Sequence, residues 1–284
     1  MIRSIVCHLD DPQSVIRLGT EALKMVAEVT KTNDNDDDSC CIDILINNAG
    51  VSNRSMFVET SMEVDTQMMQ INFFAGVQLC KILVPAMIRK YSTSSDHQKD
   101  RTNTTTTGTT TVGGSVFRCC RTRRQKDTTT NDDVGRIIWI GSVLGLVGVP
   151  DRTSYVASKF AVQGYCESLR CELMTSNVRV HNVNPGYICT NLSMGAYTGN
   201  GTRYNQMDEV IRYGANPKYV AKCILQNILI KKQEKYLDFT IVPTVPVRFA
   251  IYARLFCPSL LRILLVKRYK KIIKEREQKN KSKG

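Results

Sequence analysis

Three histidines, one tryptophan and eight prolines are all that this chain of 284 residues carries of those types. The histidines stand far apart, at His8, His97 and His181, and no two of the eleven cysteines share a CxxC spacing. A Cys/His metal centre needs clustered ligands, so no metal site is expected. The cysteine number is odd, and the adjacent pairs Cys40–Cys41 and Cys119–Cys120 lie in polar segments. Free thiols fit this usage better than a disulfide framework does. A secretory opening is missing too: the apolar start over 1–6 is short and carries Arg3. So is any unbroken apolar run of about 20 residues, the length that a spanning helix requires.

Positive charge is plentiful but local. Of the net charge of +13, residues 262–284 supply ten Lys or Arg against only Glu275 and Glu277. A basic end without interleaved aromatics or a recognisable module argues against nucleic acid as a partner. A solvated terminus and an anionic membrane surface both remain open for it. Just upstream, 245–266 is apolar but interrupted by Arg248, Arg254 and Arg262, and Pro258 breaks any single long helix. That pattern predicts an interfacial helix on anionic lipid, or a helical extension packed on the domain. The expected division is one α/β domain over 1–244 and a basic extension over 245–284. With 42% hydrophobic residues, the first part is long enough to bury a core.

Apolar periodicity supplies the elements. Residues 2–9 read as a short strand before the turn Asp10–Asp11–Pro12, and Val15, Leu18, Ala22, Met25, Val26 and Val29 mark a helix face. Residues 42–46 form a compact apolar run, hence a buried strand. Residues 61–90 predict a helix, with Val64, Met68, Ile71, Ala75, Leu79, Ile82 and Leu83 on its inner side. Periodicity then stops: thirteen of the residues over 92–134 are Thr, a composition that reads as a disordered insertion. Order returns with a strand at 137–142, a helix at 154–174, a strand at 178–183, a helix at 217–231 and a strand near 236–241. Strand–helix alternation with continuously apolar strands predicts a Rossmann-like, doubly wound parallel sheet.

The chemistry concentrates in Tyr155–Val–Ala–Ser–Lys159. A spacing of four puts phenol and ammonium on one helix face, one turn apart. A cation there favours the phenolate, which makes a usable general acid/base. The motif alone is an ordinary surface pair on many helices; its surroundings give it weight. Ser142 ends a predicted strand, where open α/β sheets bind ligands. Asn47–Asn48–Ala49–Gly50 ends another, Asn72 interrupts an apolar helix face, and Asn184–Pro185–Gly186 precedes Thr190.

Taken in this order, NNAG, the intervening Asn, the Ser thirteen residues before YxxxK, and NPGxxxT resemble the short-chain dehydrogenase/reductase family. The resemblance runs over about 7–241 and, through residues 47–55, is most similar to that family's member 7 group, related to hydroxysteroid dehydrogenase-like enzymes. It implies hydride transfer between NADP(H) or NAD(H) and a small carbonyl or alcohol substrate. It assigns Tyr155 as proton donor and acceptor, with Lys159 lowering its pKa and bonding the nicotinamide ribose. Ser142 would orient the carbonyl, and Asn72 would hold a water that relays protons to Lys159. Asn47, Ala49 and Gly50 would line the cofactor cleft, and Pro185, Gly186 and Thr190 would flank the nicotinamide. Met194, Tyr197, Tyr204, Met207 and Tyr213 are candidates for an apolar substrate pocket, suited to a steroid, retinoid or other lipophilic carbonyl. The helices at 61–90 and 154–174 are usual dimer faces in the family, and related enzymes are often anchored in the endoplasmic reticulum membrane; the cytoplasm is the other expected location.

The sequence departs from the family in two places. The glycine-rich turn TGxxxGxG, which holds the pyrophosphate, has no match; Gly108 and Gly113–Gly114 follow no strand. His8 stands where an adenine-contacting Asp is common. The expectation is a chain lacking the first two strands of the fold, with the strand around Ile5 left without a neighbour and the one around Ile44 presenting an open edge. A second reading is therefore a non-catalytic remnant that serves as a membrane-surface or protein-interaction module.

Overall fold

The computed structural model describes residues 4–30, 42–91, 134–230, 238–241 and 244–281. Four strands form one parallel sheet in sequential order: β1 (Ile44–Asn47), β2 (Gly135–Ile140), β3 (Val178–Pro185) and β4 (Asp238–Ile241). Parallel neighbours need crossovers, which the helices provide. These are α1 (Pro12–Thr30), α2 (Met62–Met69), α3 (Ala75–Tyr91), α4 (Thr153–Glu172), α5 (Glu209–Arg212) and α6 (Pro217–Leu225). Beyond the sheet lie α7 (Val245–Phe256) and α8 (Pro258–Lys281). The doubly wound α/β expectation holds.

Alternation along the strands sends side chains to two cores. Ile137, Trp139, Val178 and Val180 pack with Met87, Val162 and Cys166 of α3 and α4. Ile138 and Val183 point the other way, to Val220 and Ile228. Trp139 is the largest of these groups, and α3 makes room for it with Gly76, where an added Cβ would lie 2.4 Å from the indole. Gly76→Ala is expected to destabilise the domain by about 1–3 kcal/mol through overpacking. An unchanged denaturation midpoint would show that the indole relocates freely.

Local chemistry sets the helix ends. Asp11 accepts from the backbone of Gln13 and Ser14 at the start of α1. Asn216 accepts from Lys218 N at 2.8 Å, with Pro217 in the first turn of α6. Between α2 and α3 the helix widens into a π-turn over Gln70–Phe74. Met62–Tyr91 as a whole is long and apolar enough to cross a bilayer, but it packs in the core through Met68, Leu83 and Met87.

Two expectations change. Residues 4–8 form no strand: among the described residues no neighbour offers them a ladder, and His8 N bonds Ser14 Oγ at 3.0 Å instead. The buried strand read over 42–46 is instead the edge of the sheet among the described residues, the open edge expected around Ile44, with Ile44 37% and Ile46 51% exposed. The Thr-rich segment at 92–133 lies outside the described residues. The break at Pro258 is present, dividing α7 from α8 at Cys257.

Candidate active site

The carboxyl ends of β1, β2 and β3 converge on one edge of the sheet, and the motif residues sit there. Ser142 follows β2; its backbone N donates to Asn184 Oδ1 at 3.1 Å and its Oγ accepts from Leu144 N at 3.1 Å. Asn184 is tied in turn to α4, donating to Gln163 Oε1 at 3.1 Å. An added Cβ on Gly141 would meet Asn184 Oδ1 at 2.4 Å, so glycine is required beside this amide. None of Gln163, Gly141 and the amide function of Asn184 stood out from the sequence.

Helix α4 presents Tyr155, Ser158 and Lys159 on one buried face. The backbone N of Tyr155 donates to Asn53 Oδ1 at 3.2 Å, which fixes the first turn. Asn53 also begins an Asn-x-Ser sequon, but its complete burial rules out glycosylation in this fold. Asn72 is held by three bonds: Oδ1 accepts from Val51 N at 2.8 Å, and Nδ2 donates to Val51 O at 3.0 Å and to Ser158 Oγ at 2.9 Å. The π-turn places Asn72 there, a usual position for such widenings. A Cβ on Gly50 would lie 3.2 Å from Asn72 Oδ1 and 3.5 Å from Lys159 Nζ. Gly50, Asn72 and Lys159 are therefore neighbours, as the motif requires.

Lys159 is almost wholly buried, and its ammonium donates to Ile140 O at 2.9 Å. Burial lowers its pKa to about 8. The consequence for stability has a definite sign. The unfolded lysine keeps its proton up to its ordinary value of 10.5, whereas the folded one gives it up near 8. Between those values the unfolded chain binds more protons, so stability rises with pH, and the penalty is complete below pH 8. Lys159→Met is expected to raise stability at neutral pH by about 3 kcal/mol and to abolish the rise between pH 8 and 10. Thermal unfolding at a series of pH values tests this, and an equal slope in both proteins would refute it.

Burial also dominates Tyr155, raising its pKa, while the bond with Ser142 and the charges of Arg152 and Arg54 act downward. The Lys159 ammonium stands 5.8 Å from the phenol ring centre, and two guanidiniums add their positive field at the phenol. Arg54 and Arg152 share Asp208: Arg54 Nε and Nη2 donate to its Oδ2 at 2.8 and 2.6 Å, and Arg152 Nη2 at 3.0 Å. This triad was not foreseen, because its members are separated by up to 154 positions.

The remaining candidates spread along the rim. Asn47 donates to Cys80 Sγ at 3.6 Å, Ala49 is exposed, and Thr190 Oγ1 accepts from Leu192 N at 3.4 Å. Pro185 is buried at the end of β3, and Gly186 N bonds Ile241 O at 2.9 Å. Of the pocket candidates, Tyr197 is buried in the cluster that holds Tyr155, Val64, Met68 and Leu144. Tyr204 and Met207 are half-buried, and Met194 is 36% exposed. Tyr213 is 83% exposed beyond α5 and does not line the site, since the helix turns it to solvent.

Known proteins add the lineage. A model of the short chain dehydrogenase family matches residues 20–95 and 99–200. The chain belongs to the short-chain dehydrogenase family. As a short-chain dehydrogenase it is 34% identical over 231 residues to a dehydrogenase/reductase SDR family protein 7-like of Drosophila melanogaster, covering 81% of this chain and 56% of that protein. It is 34% identical over 277 residues to dehydrogenase/reductase SDR family member 7B of Bos taurus, covering 98% and 66%. The chain thus spans only 56% and 66% of the length of these two relatives. A short-chain dehydrogenase from Streptomyces avermitilis shares the fold at TM-score 0.60 and 16% identity, over 95% of this chain and 79% of that one. Another, from Burkholderia cenocepacia J2315 in complex with NADP, does so at TM-score 0.56 and 17% identity, over 92% and 77%.

Proposed function

We propose that this short-chain dehydrogenase is an oxidoreductase that passes a hydride between NADP(H) or NAD(H) and a lipophilic carbonyl or alcohol. The observation that carries this reading is the assembly of Ser142, Tyr155, Lys159 and Asn72 at one sheet edge, with an apolar cluster against Tyr155. The nicotinamide half of the cofactor fits the residues present. Lys159 is a buried ammonium with three N–H donors, one of which is used on Ile140 O, and hydroxyls of a ribose suit the others. The NADP complex of the Burkholderia cenocepacia enzyme that shares the fold supports the same cofactor class.

When bound, the nicotinamide supplies or accepts the hydride at the substrate carbon. The chain's own groups handle the proton. Tyr155 is protonated at neutral pH, since burial raises its pKa, and this is the state that donates to a carbonyl oxygen during reduction. Ser142 hydrogen-bonds the same oxygen as negative charge develops on it. Asn72 fixes the backbone of Val51 and the hydroxyl of Ser158, holding α4 in register so that Lys159 and Tyr155 keep their spacing.

The apolar surroundings of Tyr155 favour a steroid-, retinoid- or lipid-like carbonyl. The same chemistry suits an enzyme associated with a membrane surface, and the endoplasmic reticulum membrane is the location proposed. Pairing of two copies through the long helices is the quaternary arrangement proposed. Fluorescence titration of the purified chain with NADPH and NADH, beside Tyr155→Phe, tests the reading. Saturable micromolar binding by both proteins supports it. No binding overturns it for this chain and favours the alternative, a non-catalytic interaction module.

A further inference from the structure

The extension folds into the consecutive helices α7 and α8, which carry two different apolar faces. Inward, Ala253 of α7 and Leu261 of α8 are buried in the cluster that contains Tyr155, Leu144 and Tyr197. Polar ties hold this face down. Arg254 Nη1 donates to Leu146 O at 2.8 Å, while its guanidinium lies 4.6 Å from the centre of the Phe160 ring. Arg276 near the end of α8 donates to Glu59 at 2.7 Å and also pairs with Asp151. Outward, α7 carries a second stripe at helical spacing: Val245 is 79%, Phe249 49%, Tyr252 63% and Phe256 77% exposed. Ile263 and Leu264 of α8 are exposed as well. Large aromatics in a row facing water are costly unless something covers them.

Charge identifies the cover. Between residues 245 and 274 there are eight Lys or Arg and no Asp or Glu. An apolar stripe set among cations, without a single anion, matches a bilayer containing acidic lipids, with acyl chains under the aromatics and headgroups at the cations. An apolar protein groove would leave those cations without partners.

We propose that the α7–α8 helix pair seats on an anionic lipid bilayer by its outer stripe while its inner stripe walls the substrate side of Tyr155, so that a lipophilic substrate passes between bilayer and Tyr155 beside this pair. The lipid seat stands independently; the passage rests on the oxidoreductase reading. Cys257 at the exposed joint between α7 and α8 is a natural reporter, and exposed Cys171 on α4 is its internal control. The full chain is mixed with phosphatidylcholine vesicles with or without phosphatidylserine, and maleimide labelling of each cysteine is followed by peptide mass spectrometry. The expected result is about tenfold slower labelling of Cys257, with Cys171 unchanged, on phosphatidylserine vesicles alone. The double variant Phe249→Glu/Phe256→Glu, on positions exposed in the fold, is expected to lose this protection and to stop sedimenting with vesicles. Its KM for hexadecanal presented in vesicles should rise about tenfold, against an unchanged KM for soluble butanal. Unprotected Cys257, or a double variant that sediments like the parent through its lysine-rich end, overturns the seat. Protection of Cys257 without NADPH oxidation of either aldehyde overturns the passage and the oxidoreductase reading, and leaves the seat standing.

Discussion

Tyr155→Phe is expected to lower carbonyl reduction by about 10²–10⁴-fold while leaving NADPH binding and the unfolding midpoint close to the parent values. The reasoning is local. The phenol is buried beside Ser142, and burial holds its proton at neutral pH. Removing the hydroxyl deletes the donor that neutralises the developing alkoxide, and no neighbour replaces it. Ser142 accepts from Leu144 N and is a far weaker acid, while the Lys159 ammonium is turned to Ile140 O. The ring itself stays, so packing against Met68 and Tyr197 survives. A loss confined to KM, with kcat intact, would show that Tyr155 only shapes the pocket, and the assignment of the proton to it would fail.

How much of this was readable in advance differs by element. Strand β2 carries the apolar run Ile137–Ile138–Trp139–Ile140, which composition announces, whereas β3 sets Val178, Val180 and Val183 among polar residues and is recognised by its valines. Tyr155, Lys159 and Ser142 follow from spacing, because helix periodicity and strand ends are local properties. The strand expected over residues 2–9 failed because a strand is not local: its hydrogen bonds need a neighbour, and none stands beside it among the described residues. Tyr213 and Tyr197 look alike in sequence, yet one is exposed and the other buried, since the course of the loop decides. The extension left two readings open, a packed helix and a lipid-facing one. In the structure α7 turns Arg254 onto the domain, where it bonds Leu146 O, and Phe256 to water, on nearly opposite sides of one helix. The field at Tyr155 was the least legible feature, as Arg54, Arg152 and Asp208 come from three segments that only the fold unites.

That triad carries the largest stability effect. Asp208→Asn is expected to destabilise the chain by about 3–5 kcal/mol, measured by guanidinium unfolding. One carboxylate oxygen serves both guanidiniums, and the side chains of Arg54, Arg152 and Asp208 are only 3%, 15% and 17% exposed. An exposed pair is worth about 0–1 kcal/mol because water replaces the partner, but here water has little access. With the amide in place, two guanidiniums face each other in the interior with no carboxylate bonded to them. Arg54 keeps its bonds to Ser52 Oγ at 2.6 Å and Asn53 O at 2.7 Å, so the charge cannot simply leave. The same bonds pin the loop before α5 to the loop after β1, where Tyr197 N donates to Ser52 O at 2.8 Å and Arg54 N to Tyr197 O at 2.8 Å. Loss of Asp208 therefore loosens the wall that carries Tyr197 over Tyr155. It also strengthens the positive field at the phenol, so the Tyr155 pKa should fall, moving the alkaline limb of the rate profile to lower pH. Replacing Arg54 and Arg152 by Met and Asp208 by Leu together should recover most of the stability without restoring that field. A single Asp208→Asn protein as stable as the parent would mean that the guanidiniums are solvated in solution, and the buried-triad account would fall.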